Sequence, residues 1–104
     1  MSTSPTQLTL RHLRSQGYMA EVTEKWNQWA RIRQDLFGIV DVLAVGDGGT
    51  IAVQCTSDSN VSKRVHKIAD SDATPYIRKA GWKLVVHGWR KREGRWTLRV
   101  VDCS

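Results

Sequence analysis

Residues 35–60 read DLFGIVDVLAVGDGGTIAVQCTSDSN, two apolar runs, Ile39–Val45 and Thr50–Thr56, on either side of GDGG. Asp47-Gly48 is a strong hairpin signal, because a type I′ turn wants φ > 0 at both central residues. With those two at the turn, Gly46 faces Gly49 and Val45 faces Thr50, and the same register sets Asp41 opposite Gln54. Their Cβ atoms are then expected roughly 4.5–5.5 Å apart on one face. Ile39 with Thr56 and Leu43 with Ala52 share that face. The other face, Val40, Val42, Ala44, Ile51, Val53 and Cys55, is wholly apolar and is expected to pack on a helix. A carboxylate and an amide therefore form a pair among core residues. Burying the carboxylate costs on the order of several kcal/mol unless a cation, a metal or a hydrogen-bond network partners it.

Working outward, Ser4-Pro5 or Thr6 starts a helix whose Leu10 and Leu13 share a face, beside Arg11 and Arg14, and Gly17 is its natural stop. Residues 18–26, YMAEVTEKW, alternate as a strand with Ala20, Val22, Glu24 and Trp26 on one side. Glu24 is thus expected to point inward, while Glu21 is expected to make an exposed ion pair beside Lys25. Residues 27–34, NQWARIRQ, receive no element. After the hairpin, DSN caps a second helix with Val61, Val65 and Ile68 as its stripe and Lys63, Arg64 and Lys67 flanking it. Thr74-Pro75 opens a short helical turn that Gly81 ends. WKLVVHGWR and RWTLRVVD supply two last strands around Lys91–Gly94. The order α-β-β-β-α-β-β predicts a single α/β domain over 1–104, with helices packed on a mixed central sheet.

The chain has 104 residues, 40% hydrophobic and 25% charged, the balance of a globular domain. No apolar run approaches the ~20 residues of a membrane span, and MSTSPTQL lacks the features of a secretory leader. A cytoplasmic location, in a bacterial or phage-infected cell, and no membrane partner are the expectations. Cys55 and Cys103 are too few for a disulfide scaffold, and no Cys/His spacing suits zinc. Cys55 reads as a small buried hydrophobe. Net charge is +6, but residues 1–59 hold five Lys/Arg against six Asp/Glu, and residues 60–104 eleven against four. Such one-sided basic charge fits a phosphate backbone, so nucleic acid, DNA first, is the expected partner; the plainer alternative is a solvated face. Of five tryptophans, Trp82 and Trp96 are expected in the core. Trp89 either stacks on bases or packs under Arg stems, and Trp26 and Trp29 are candidates for a dimer surface. His87 is read as a surface or hydrogen-bonding residue before a general base.

Two readings of Asp41 stay open. It accepts hydrogen bonds from Gln54 and a nearby Arg31 or Arg33, or it belongs to a hard-cation site with oxygens from Gln54 and Glu24. Asp35 is left between a turn cap and a further acid. Helix, strand and a hairpin with Asp41 on its first strand and Gln54-x-Thr56 on its second resemble the PD-(D/E)XK phosphodiesterase superfamily. That superfamily holds restriction endonucleases, archaeal Holliday junction resolvases and VRR-NUC nucleases. LFGIVDVLAV followed by IAVQCT also resembles small phage and prophage proteins of this kind. The resemblance implies a restriction-endonuclease-like fold and Mg²⁺- or Mn²⁺-dependent phosphodiester hydrolysis of DNA, branched or junction DNA included, with a homodimer as one arrangement. Asp41 matches the metal-binding Asp, Gln54 stands at the second acid and Thr56 replaces the Lys. Asp41, Gln54 and Glu24 would hold the metal. Lys63 or Lys67, from the helix, would replace the missing ammonium. Arg64, Arg78, Lys79, Arg90, Lys91 and Arg92 would hold flanking phosphates. The departures at 54 and 56 leave open a fold that binds nucleic acid, or inhibits a protein partner, without cleavage.

Overall fold

A computed structural model describes residues 3–104 of the chain. Helix α1, Pro5–Ser15, starts where Ser4 Oγ accepts the Gln7 amide at 3.2 Å, and Pro5 gives up an N–H that the first turn leaves free. It buries Leu8, Leu10 and Leu13 and ends at Gly17, whose φ of 91° a glycine adopts without Cβ strain. The strands follow as β1 Met19–Val22, β2 Lys25–Asn27, β3 Ile32–Gln34, β4 Val42–Gly46 and β5 Gly49–Ser57. A 3₁₀ turn, Asp58–Asn60, leads into α2 Val61–Ala69, then α3 Thr74–Lys79, β6 Lys83–Arg92 and β7 Arg95–Asp102.

One five-stranded sheet runs β1-β4-β5-β6-β7, and β2 with β3 forms a separate two-stranded hairpin. Only β5 and β6 pair in parallel, as the α2–α3 crossover between them requires; the remaining pairs are antiparallel. The α/β class and the mixed sheet flanked by helices are as the sequence leads one to expect. The added element is the β2–β3 hairpin, which occupies the stretch left without assignment. It splits the expected single strand over 18–26: Trp26 belongs to a different sheet from Ala20, and Val22 is exposed.

The β4–β5 register is the expected one, with Val45 on Thr50 and Val42 on Val53. Its turn differs. Asp47 and Gly48 keep φ out of the left-handed region, and Gly49 takes φ 99°, the glycine position of a bulge-closed turn. Two consecutive positive φ angles occur instead at Glu93 (φ 50°) and Gly94 (φ 78°), in the β6–β7 turn, and at Phe37 (φ 55°) and Gly38 (φ 77°).

Two cores sandwich the sheet. Against α1 lie Leu10, Leu13, Ala20, Val42, Ala44, Ile51, Val53, Cys55 and Val85. Against α2 and α3 lie Ile39, Val40, Ala52, Val61, Ile68, Ile77, Leu84 and Val86. Val40 falls in this second core, not beside Val42 as simple alternation expects. The ladder starts only at Val42, the Asp41 amide donates to Val53 O at 2.9 Å, and a Leu36–Val40 bridge turns the chain first. On β6, Gly88 is a close-approach position: a Cβ there would stand 2.3 Å from Val61 Cγ2 and 3.3 Å from Asp58 Cα. Its bare backbone lets the start of α2 rest on the strand.

Trp89 is buried and donates its indole N–H to Thr9 Oγ1 at 2.9 Å; Thr9 Oγ1 lies 3.2 Å from His87 Nδ1. Burial, with His12 adding to it, lowers the His87 pKa to about 4, so the ring is neutral and shares one hydrogen bond with the Thr9 hydroxyl. His87 is therefore a hydrogen-bonded core residue, and Trp89 is withdrawn from any base. Trp82 is half-buried against the second core, but Trp96 is 41% exposed under the Lys91 ammonium (5.7 Å to the ring centre), a correction to its expected burial. Among the described residues no helix is long and apolar enough to cross a membrane.

Candidate metal centre

Asp41 sits just before β4 with 5% of its surface exposed, and Gln54, at the middle of β5, with 1%. The expected meeting occurs. Gln54 Nε2 donates to Asp41 Oδ2 at 2.6 Å, and the Cys55 amide donates to the same oxygen at 2.8 Å. That orientation leaves Gln54 Oε1 buried with no hydrogen-bond partner, the only such side-chain oxygen or nitrogen among the described residues. Buried polar atoms are rarely orphaned, so each such atom calls for a partner that the protein itself does not supply.

The β2–β3 hairpin completes the cluster. Its register pairs Lys25 with Gln34 and Trp26 with Arg33, so Glu24 and Asp35 flank its base, each one residue beyond the last pair. Carboxylate oxygens of Glu24, Asp35 and Asp41 all lie within 4.8 Å of one another. Glu24 is the inward acid that strand alternation pointed to, brought in by the hairpin. Asp35 is the member that sequence reasoning left undecided. The signal was present in the two short alternating runs around NQWAR, but three-residue strands are too brief for periodicity to announce them.

Crowding three acids raises the proton affinity of the most buried one. Burial is the largest cause; the adjacent Asp35 carboxyl and the charge of Glu24 add to it, and the Cys55 amide opposes it, leaving the Asp41 pKa at about 7. Arg33 Nη1 lies 3.1 Å from Glu24 Oε1, and Lys67 Nζ 3.6 Å from Asp35 Oδ2. Neither Arg31 nor Arg33 reaches Asp41, so the network of Gln54 plus an arginine is not what holds it. A cleft of about 420 Å³ lined by Arg33, Gln34, Asp35, Gly38 and Lys67 opens beside the cluster. Asp35 is the one acid of the cluster that lines this cleft, where it meets Lys67, while Asp41 and Gln54 stay buried behind it.

Other predicted site residues separate. Lys67 reaches the acids, whereas Lys63, one turn earlier on α2, makes no ion pair among the described residues. Thr56 is buried and stands next to Gly88 across the parallel pair. Arg64 lies half-buried on α2, and Lys79 is exposed at the end of α3. Arg78 is anchored, with Nε and Nη2 donating to Cys103 O at 3.1 and 2.9 Å. Arg90, Lys91 and Arg92 are exposed where β6 runs past the end of β5. Glu21 pairs with Arg14 at 4.0 Å and not with Lys25. Burial drives the Cys55 thiol up to about 12, which keeps it protonated and inert. Comparison with known proteins finds no matching family model, no matching curated protein and no matching solved structure.

Proposed function

We propose that the protein is a metal-dependent endonuclease of the PD-(D/E)XK kind acting on DNA, branched or junction DNA included. One observation carries the reading: three carboxylates from different segments converge over a buried amide whose oxygen has no partner. The donor set fits a hard divalent ion, since carboxylate and amide oxygens are what Mg²⁺ and Mn²⁺ prefer. Asp41, Glu24 and Asp35 would hold it, with Gln54 Oε1 beside them. Such an ion supplies Lewis-acid charge at a phosphate ester.

The chain's own residues do the rest. Gln54 and the Cys55 amide hold Asp41 Oδ2 in place, with the Asp35 carboxyl beside Asp41. Lys67, at the rim, offers an ammonium to a phosphate that enters the cleft and stands in for the lysine that Thr56 replaces. Arg64, Lys79 and the Arg90–Arg92 run supply positive charge for flanking phosphates, which positions a strand without reading its sequence. A two-fold dimer would set two such sites on a two-fold symmetric junction.

The second reading is a nuclease-like fold that binds nucleic acid or a protein partner without cutting. The sealing of Asp41 and the loss of an ammonium at Thr56 favour it. Incubation of plasmid, linear duplex and four-way branched DNA with Mg²⁺ or Mn²⁺ separates the two. Cleavage that Asp41→Ala abolishes supports the enzyme. Lys67→Ala should lower the rate about a hundredfold, the typical loss of one transition-state charge partner, with Lys63→Ala near wild type. Salt-sensitive binding with no cleavage in either metal establishes the second reading instead.

A further inference from the structure

The β2–β3 hairpin does more than carry two acids. Its ten residues, 25–34, hold Lys25, Arg31 and Arg33 and no Asp or Glu. Trp26 is 62% exposed and Trp29, at the tip, 90%. Indoles are normally withdrawn from water, and this chain buries Trp89, so two bare ones on one arm need an explanation.

The arm is built to hold its shape. Asn27 Oδ1 accepts the amides of Trp29 and Ala30, both at 3.0 Å, and Asn27 Nδ2 donates to Gln34 Oε1 at 3.1 Å. Arg31 takes a positive φ of 54° to close the tip, and Arg33 ties the base to Glu24. Directly paired residues share a face, so Trp26 and Arg33 lie side by side, each two residues along the chain from Glu24 or Asp35. Two residues along a strand span ~7 Å, about the distance between successive phosphates of an extended strand. A nucleotide next to one held at the acids would therefore meet an indole and a guanidinium.

We infer that the β2–β3 hairpin is a stacking arm for unpaired bases, with Trp26 and Trp29 as platforms and Arg31 and Arg33 for the adjoining phosphates. This rests on the proposed reading of the acid cluster as a phosphodiester site. A single strand is the occupant because a flat indole stacks on a base face, which a continuous duplex hides. A second copy of the chain is disfavoured here, since it would set two arms of charge +3 against each other.

The test measures anisotropy of a fluorescein-labelled single strand of about 12 nucleotides, a length within the usual site size, and of the blunt duplex of the same sequence, in chelator. Wild type should favour the single strand. Trp29→Ala should weaken that binding about tenfold or more, the size of one lost base stack, and leave the duplex unaffected; Trp29→Tyr should restore most of it. Trp29 makes so little contact with the body that the fold should survive its removal. Unchanged single-strand affinity in Trp29→Ala overturns the inference, and so does a wild-type dimer that the substitution dissociates at unchanged affinity. If Asp41→Ala abolishes cleavage while Trp29→Ala binds normally, the arm alone is refuted. If binding depends on Trp29 but wild type never cleaves, the nuclease reading fails and the arm stands. No binding of either oligonucleotide overturns both.

Discussion

Asp41 concentrates the physical problem of this protein in one carboxyl. The unfolded chain lets it ionise near 3.8, and the fold holds its proton up to about pH 7. A raised carboxyl pKa stabilises the folded state in full below the unfolded value, and that stabilisation is lost as pH rises to the folded one. At about 1.4 kcal/mol per pH unit, the metal-free protein gives up a few kcal/mol between roughly pH 4 and pH 7. Asn has the shape of the protonated acid and no charge to bury. In chelator, Asp41→Asn should melt several degrees above wild type at pH 8, where about 1 kcal/mol moves Tm by 4–8 °C in a domain this size. The gap should close by pH 4. Calorimetry at the two pH values checks it, and equal melting at both would mean that Asp41 is not under the strain its surroundings imply. Divalent metal should reverse the order at pH 8, because only the wild type gains from binding.

Between elements, the start of α2 packs closely on β6. Gly88 has room for hydrogen only, with Val61 Cγ2 where a Cβ would go. Gly88→Ala should cost about 1–3 kcal/mol by overpacking, and Val61→Ala in the same chain should recover part of it. A double-mutant cycle by urea denaturation measures that coupling; strictly additive losses would show that helix and strand adjust independently. The same seating aims α2 so that Lys67, and not Lys63, arrives at Asp35. A helical repeat placed Lys63 and Lys67 on neighbouring turns, but choosing between them needs the angle of the helix on the sheet. The β4–β5 hairpin is the opposite case. There the turn and the alternation of apolar residues sufficed to pair strands correctly, even though Gly49 and not Asp47-Gly48 takes the left-handed angle.

Across the whole molecule, charge is sorted along the chain and again in space. The acids that count lie in the first half, gathered at one cluster, and the basic excess lies in the second. Arg33 and Lys67 answer two of the acids directly, and Arg78 is spent on the Cys103 carbonyl. The exposed Arg90–Arg92 run, with Lys91 over the Trp96 ring, adds a cationic edge beyond the end of β5. Its replacement by three alanines should weaken duplex binding at every sequence alike. The slope of log affinity against log salt should become shallower by about 0.9 for each phosphate contact removed. An unchanged slope would show that this edge faces away from nucleic acid.

The residue pattern alone determined the strand register that joins Asp41 to Gln54, the two apolar faces of the sheet and the imbalance of charge. Each depends on local geometry: a turn, a period of two, a count. Only the tertiary structure decided that Asp35 joins Glu24 and Asp41, that Lys67 reaches them, and that Trp89 is core while Trp29 stands in water. Those outcomes depend on where a three-residue strand pair projects and how a helix lies on the sheet. Distances between segments far apart in the chain are set by packing, which no local period encodes.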